Sequence, residues 1–471
     1  MEVMKKQVFN PYLPSYEYIP DGEPHIFNNR LYLYGSHDRF GGTDYCLNNY
    51  VCWSAPVEDL SAWRFEGVIY KKEQHPYQVG RNLLFAPDVA KGPDSRYYLY
   101  YSVADSGIMS VAVCDTPAGQ YQYYGDVHSS AGHVLGSKEG DFFQFDPGIF
   151  VDNDNRIFLF SGFCPKAEAD EKGRQYVGCH MCELESDMVT VKKGPEIIID
   201  RNTPCPEERK YFEAPSLRKF FGKYYLIYSV RCGGLHYYIS DKPDSGFQYG
   251  GRIHSTSDVG INGHSIEEPS YPVGNTHGSL IEIQGKYYIF NHRLTNNSSY
   301  CRQGVAEQVF FKEDGSIQQV EATSCGLNNG PLKGLGIYPA YIACVLIDHN
   351  TYASKTEKQL YTPRITQDGE DRECMPGQYM KGIRSLCVVG YKYFCFQSNS
   401  KIRLTIRGKA NGQVLVKTGE QEKEACVIPV KVNKEEWEEI EGSFLVKGER
   451  CGLFLEFVGE GSFDLLQLEF L

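Results

Sequence analysis

Arg30-Leu-Tyr-Leu-Tyr-Gly-Ser36, Arg96-Tyr-Tyr-Leu-Tyr-Tyr-Ser102, Arg156-Ile-Phe-Leu-Phe-Ser-Gly162, Lys223-Tyr-Tyr-Leu-Ile-Tyr-Ser229 and Lys286-Tyr-Tyr-Ile-Phe-Asn-His292 are five copies of one short aromatic strand. The opening Arg or Lys stands at 30, 96, 156, 223 and 286, a repeat of sixty-odd residues. Repeats of this length, rich in Tyr, Phe and Gly, predict the blades of a β-propeller, somewhat longer than the common repeats of about 40–50 residues. Eight to ten residues before each strand stand Asp21, Asp88, Asp146, Glu213 and His277 in turn. The first strand of each blade lines the central channel, so five equivalent positions converge there.

The loop Cys325-Gly-Leu-Asn-Asn-Gly-Pro-Leu-Lys-Gly-Leu-Gly336 ends the aromatic repeat. Beyond it the alternation changes to Lys401-Ile-Arg-Leu-Thr-Ile-Arg407, Gln413-Val-Leu-Val-Lys417, Leu453-Phe-Leu-Glu-Phe457 and Phe463-Asp-Leu-Leu-Gln-Leu-Glu-Phe470. Short period-two strands between Gly and Asn turns predict a β-sandwich. The fold class is therefore all-β, with a five-bladed β-propeller over 1–325 and a β-sandwich over 337–471.

The formal net charge of −12, with no basic cluster, argues against nucleic acid or an anionic membrane surface as partner, and a neutral sugar is compatible with it. The stretch from Met1 to Asn10 carries Lys5 and Lys6 but no apolar run behind them, and no segment reaches the roughly 20 apolar residues of a membrane span. Sixteen cysteines, many inside apolar strands (Cys344, Cys387, Cys395, Cys426), read as buried free thiols in a reducing cytoplasm. Cys179 and Cys182 have zinc-like spacing, but no second pair follows and strand alternation places them on opposite faces.

Asp21 lies in Ile-Pro-Asp-Gly-Glu-Pro, Asp146 in Gln-Phe-Asp-Pro-Gly, and Glu213 in Tyr-Phe-Glu-Ala-Pro. Hydrolysis of a glycosidic bond needs one carboxylic acid to protonate the leaving oxygen and a second carboxylate to activate water or attack directly. Carboxyls confined in one channel raise each other's pKa, which keeps one of them protonated near neutrality. Acids in register on several blades point to that chemistry rather than to turn capping.

Phe-Asp-Pro at 145–147, Phe-Glu-Ala-Pro at 212–215, Ala-Pro-Asp-Val at 86–89 and Thr-His-Gly-Ser at 276–279 together resemble glycoside hydrolase family 43. The resemblance implies a five-bladed propeller that removes arabinose or xylose from plant polysaccharide fragments with inversion. It implies Asp21 as general base, Asp146 as the pKa-tuning aspartate and Glu213 as general acid. The family's first motif is usually Asp-Pro, whereas here Asp21-Gly-Glu-Pro makes Glu23 a rival base; the count back from the aromatic strand favours Asp21. Phe85 is expected as a stacking wall, Arg302 as a hydrogen-bond donor to substrate, and Asp88 beside the substrate or in a supporting role. His277 is expected at the channel centre, where the resemblance implies a calcium ion held largely through its water shell. No organic cofactor is implied.

The tail resembles a family 6-like carbohydrate-binding sandwich in Val389-Gly-Tyr-Lys-Tyr-Phe-Cys-Phe396 and Gly459-Glu-Gly-Ser-Phe-Asp-Leu465. Its aromatics Tyr391, Tyr393, Phe394, Phe396 and Trp437 are mixed with apolar residues at strand spacing and read as core, which makes the domain a buttress. The expected activity is exo-release of α-L-arabinofuranose from arabinoxylo-oligosaccharides. β-D-xylosidase activity is the nearest alternative and a non-catalytic sugar-binding propeller the next. Retaining fructan-cleaving propellers carry Asn-Asp-Pro-Asn-Gly, Arg-Asp-Pro and Glu-Cys motifs that this chain does not share.

Overall fold

The computed structural model describes residues 6–231, 233–349, 363–372, 377–397, 399–420 and 424–471. Residues 1–5 of the N-terminal stretch, and Cys232 and Cys374, lie outside them. Five antiparallel sheets form the first domain. Blade I comprises Glu23–Phe27, Arg30–Tyr34, Tyr50–Pro56 and Arg64–Tyr70; blade II comprises Leu84–Lys91, Tyr97–Val103, Met109–Cys114 and Gln122–Asp126. Blade III comprises Gly148–Val151, Ile157–Ser161, Gly178–Leu184 and Thr190–Asp200, with His128–Ser129 added in parallel at its edge. Blade IV runs through Glu213–Phe220, Lys223–Ser229, Leu235–Ser240 and Gln248–His254. Blade V holds Leu280–Ile283, Lys286–Thr295, Ser298–Phe311 and Ile317–Gln318.

The aromatic strand is the second of each blade, and its continuous apolar run follows from packing on both faces. Tyr224, Leu226 and Tyr228 pack against Phe158, Phe160 and Met181 of blade III, whereas the alternate Tyr225 and Ile227 pack against Leu280, Ile289 and Val309 of blade V. Side chains alternate across a strand, so every second strand is shared between two neighbouring cores. The same division joins I to II, II to III and V back to I, closing the ring through apolar contact. Cys179 and Cys182 fall into different inter-blade cores, as their odd spacing requires. Fourteen cysteines are free among the described residues, eight of them buried.

The second domain is one curled nine-stranded sheet around a large core, with a small second cluster of Cys344, Val345, Ile347, Val388 and Phe454 beside it. The segments expected as separate short strands are halves of long ones: Lys401–Lys417 is one strand, and Gly448–Phe470 another, paired along most of their length. The glycines between the halves are sites of close approach rather than turns. A Cβ on Gly412 would come within 2.3 Å of the Val458 carbonyl oxygen, and one on Gly459 within 2.4 Å of that of Asn411. Tyr391, Phe394 and Phe396 lie in the core, as their spacing predicted, while Tyr393 and Trp437 are half-buried beneath Arg450 and Arg407.

Candidate active site

The inner strands place their residues in two layers. The residue four positions past each opening Arg or Lys is Tyr34, Tyr100, Phe160, Ile227 or Phe290, and opposite these stand Glu23, Asp88, Gly148, Ser216 and Ser279. That set forms the deeper layer. Two residues earlier along the chain, before the first strands of blades I, III and V begin, come Asp21, Asp146 and His277. In blades II and IV an Ala-Pro bulge, visible as register shifts between Leu84 and Pro87 and between Glu213 and Ser216, adds one residue. The upper position there is three residues earlier, at Phe85 and Glu213.

A pocket of about 290 Å³ is lined by that whole upper layer, Asp21, Phe85, Asp146, Glu213 and His277, with Arg302, Tyr45, Cys46, Asn275 and three further phenylalanines. Asp88, expected beside the substrate, is fully buried outside the lining. Its carboxylate accepts from the N–H groups of Val89 and Ile149 and pairs with His25 at 2.6 Å, tying three blades together. The bulge makes Phe85, not Asp88, the blade-II counterpart of Glu213. Glu23 is likewise in the deeper layer, fully buried, accepting from Ser216 and Arg218. Of the two rivals only Asp21 reaches the pocket. None of the turn His37–Gly42 lines it, whereas Tyr45 and Cys46, further along that loop, do.

Sequence reasoning missed Phe145, Phe163 and Phe212. Two of them directly precede an acid, a signal present in the chain. Phe85, Phe145, Phe163 and Phe212 form a continuous rim, with successive ring centroids 5.7, 4.9 and 5.3 Å apart.

Asp21 and Asp146 take left-handed backbone conformations (φ 57° and 46°), as does Ala214 (φ 64°) beside Glu213. Non-glycine residues rarely adopt these, and such strain concentrates at functional sites. Burial pushes the Asp21 carboxyl up, but the Arg302 guanidinium at 3.1 Å, helped by His292 and His277, overcomes it and holds Asp21 at about 2. His292 receives the Asp21 N–H at Nδ1 and donates from Nε2 to the Asn275 carbonyl, and burial lowers it to about 3. Glu213 moves the other way. Burial, then the Asp146 charge, raises it well above the ordinary carboxylate range, with His277 opposing. Burial also raises Asp146, against the pull of His277. His277 stands 3.6 Å from Asp146 Oδ2 and 3.8 Å from Glu23 Oε1; burial lowers its pKa, but these two acids lift it well above its ordinary value.

The calcium expectation can be tested on the donors. His277 Nε2 and Glu23 Oε1 have no hydrogen-bond partner among the described residues. Glu23 Oε2 is already paired to Arg218, and both Asp88 oxygens are occupied. One imidazole and one free carboxylate oxygen, beside a guanidinium, do not supply the six to eight oxygens calcium takes. The side chains make no protein cage for calcium, and an ion held there through its water shell would have His277 Nε2 and Glu23 Oε1 as its free protein donors.

An acid held ionised and another held protonated in one aromatic-rimmed pocket define a glycoside hydrolase on a five-bladed propeller. The profile of Glycosyl hydrolases family 43 matches residues 20–317, and the chain belongs to that family. It is 46% identical over 473 residues to a xylosidase/arabinosidase of Thermoclostridium stercorarium, covering 98% of each chain. The fold is similar to that of a family 43 arabinoxylan arabinofuranohydrolase from Bacillus subtilis in complex with cellotetraose (TM-score 0.52, 20% identity, 98% of this chain and 97% of that one). It is also similar to that of a compost-metagenome β-xylosidase/α-arabinofuranosidase in complex with xylotriose, in a calcium-free form (TM-score 0.54, 22% identity, 68% of this chain and 99% of that one).

Proposed function

We propose that the chain is an inverting exo-glycosidase of the xylosidase/arabinosidase type, releasing single pentoses from xylo- and arabinoxylo-oligosaccharides, with α-L-arabinofuranose preferred. The observation that carries this reading is the pair of opposed shifts: Asp21 held near 2, Glu213 driven well upward. Asp21 is then the general base, Glu213 the general acid, and Asp146 the neighbour that raises Glu213. Water attacks the anomeric carbon and passes its proton to Asp21. The bond to the leaving oxygen breaks as Glu213 protonates it, and solvent exchange resets both carboxyls. A pocket of about 290 Å³ sits at the small end of ligand sites and suits one sugar unit, which supports the exo mode. The whole-length relative of T. stercorarium, named for both activities, supports the substrate class.

The C-terminal domain is proposed as a buttress, its Tyr391, Phe394 and Phe396 being core and its Tyr393 and Trp437 capped by arginine. Product analysis tests the function. Decorated xylo-oligosaccharides are expected to yield free arabinose, faster than plain xylobiose yields xylose, and proton NMR to show the inverted anomer first. Internal fragments, a retained anomer, or no release from any pentoside would overturn the mode, the stereochemistry or the enzyme reading respectively.

A further inference from the structure

The loop 37–49 between the second and third strands of blade I carries two pocket walls, Tyr45 and Cys46, and also Asp38. Asp38 is fully buried and holds one edge of the Arg302 guanidinium in a bidentate pair: Nε donates to Oδ2 at 2.8 Å and Nη2 to Oδ1 at 2.9 Å. The Arg302 N–H donates to the same carboxylate at 3.1 Å. Nη1 is left to face Asp21. Asp38 therefore fixes the orientation in which Arg302 meets the base.

Besides its bonds within the propeller, such as Cys46 N–H to Asp38 Oδ1 at 3.1 Å, the loop is held from the other domain. Asp371 Oδ1 accepts the Phe40 N–H at 2.8 Å, and Asp371 Oδ2 accepts from the Asn48 amide at 3.1 Å. The Asn48 amide also donates to the Asp38 carbonyl at 2.9 Å. One carboxylate thus spans the loop eight residues apart, on either side of Tyr45 and Cys46. Neighbouring residues reinforce it: Arg372 pairs with Glu17, and Gln367 and Gln378 both bond the Tyr18 hydroxyl, whose backbone carbonyl accepts the Asp38 N–H.

We infer that Asp371 is a positioning residue for hydrolysis, contributed by the C-terminal domain and acting through Asn48, Asp38 and Arg302 on Asp21. The inference rests on the glycosidase reading above and adds that the catalytic pocket is completed only when the second domain is docked. Orientation of reacting groups is worth orders of magnitude in rate, and loosening a loop that carries the base's partner forfeits part of it.

Full-length Asp371→Ala is expected to lose about tenfold in kcat/KM on para-nitrophenyl pentosides, at a temperature where circular dichroism shows it folded. Asn48→Ala, on the propeller side, is expected to reproduce the loss and carries the test alone if the first variant does not fold. In an Arg302→Lys background, Asp371→Ala is expected to cost less than twofold, because the path it acts through is already broken. Lys392→Met is the contrast: it removes a different interdomain link, to Asp258 at 2.7 Å and Glu321 at 3.1 Å, and is expected to lower Tm with kcat/KM unchanged. Unchanged kcat/KM in both loop variants, full additivity with Arg302→Lys, or an equal kcat/KM loss in Lys392→Met would each overturn the inference. A wild-type enzyme inactive on every pentoside would instead overturn the function.

Discussion

Arg302→Met keeps the length of the side chain and removes the charge that holds Asp21 ionised. Asp21 is 5% exposed and its carboxyl stands at about 2 against an ordinary value of 3.8. That difference is about 2.5 kcal/mol of preference for the carboxylate, at about 1.4 kcal/mol per pKa unit. It is a net figure, since burial alone acts in the opposite direction and Arg302 is the largest of the influences that overcome it. Without the guanidinium, His292 and His277 remain, burial prevails, and Asp21 is expected to rise past 3.8, a change of about two units or more. A base must be ionised to work, so the acid limb of kcat/KM moves up with it. Wild-type enzyme is expected to show no limb from Asp21 above about pH 3; the variant is expected to show one between roughly pH 4 and 7. Arg302 also lowers Asp146 and Glu213, in both cases as a minor influence, so the alkaline limb moves up less. The assay is kcat/KM from pH 4 to 9 on an aryl arabinofuranoside, at temperatures where the variant is folded. A loss of rate that is uniform across that range, with both limbs in place, would refute the claim that Arg302 sets the charge of Asp21.

Glu213→Ala is expected to lose at least about a hundredfold on xylobiose, whose leaving oxygen needs a proton, and far less on an aryl glycoside with an acidic leaving group, within the 10²–10⁴ typical of general acid catalysis; equal losses on both would remove Glu213 from that role. Because Glu213 is raised, activity is present while it is protonated and falls as pH climbs through its folded pKa, so the alkaline limb is expected to vanish in this variant on the activated substrate. Extended dialysis against EDTA is expected to leave Tm unchanged, since the donors at the channel centre make no protein cage for a structural calcium, and a loss of Tm restored by added calcium would refute that.

Five copies of a short aromatic strand, each opened by Arg or Lys, were enough to read the blades, because a strand packed on both faces must be apolar along its whole length. The acids at Asp21, Asp146 and Glu213 were legible for the same reason: equivalent positions in a ring converge wherever the ring closes. The sequence could not say whether Asp21 or Glu23 faces the substrate, since Asp21 lies just before the strand that Glu23 opens, in a left-handed conformation that only the structure shows. Nor could it exclude Asp88, which a simple count puts in register; the Ala-Pro bulge shifts blade II by one residue and brings Phe85 to the pocket instead. The glycines at 412 and 459 read as turns because close packing of two backbones, the condition that actually requires them, exists only once distant strands pair. Charge states were beyond the sequence altogether. Whether a carboxyl stands near 2 or well above 4.5 depends on burial and on which guanidinium or acid lies a few ångströms away, and those neighbours (Arg302 for Asp21, Asp146 for Glu213) are brought together from different blades by tertiary structure alone.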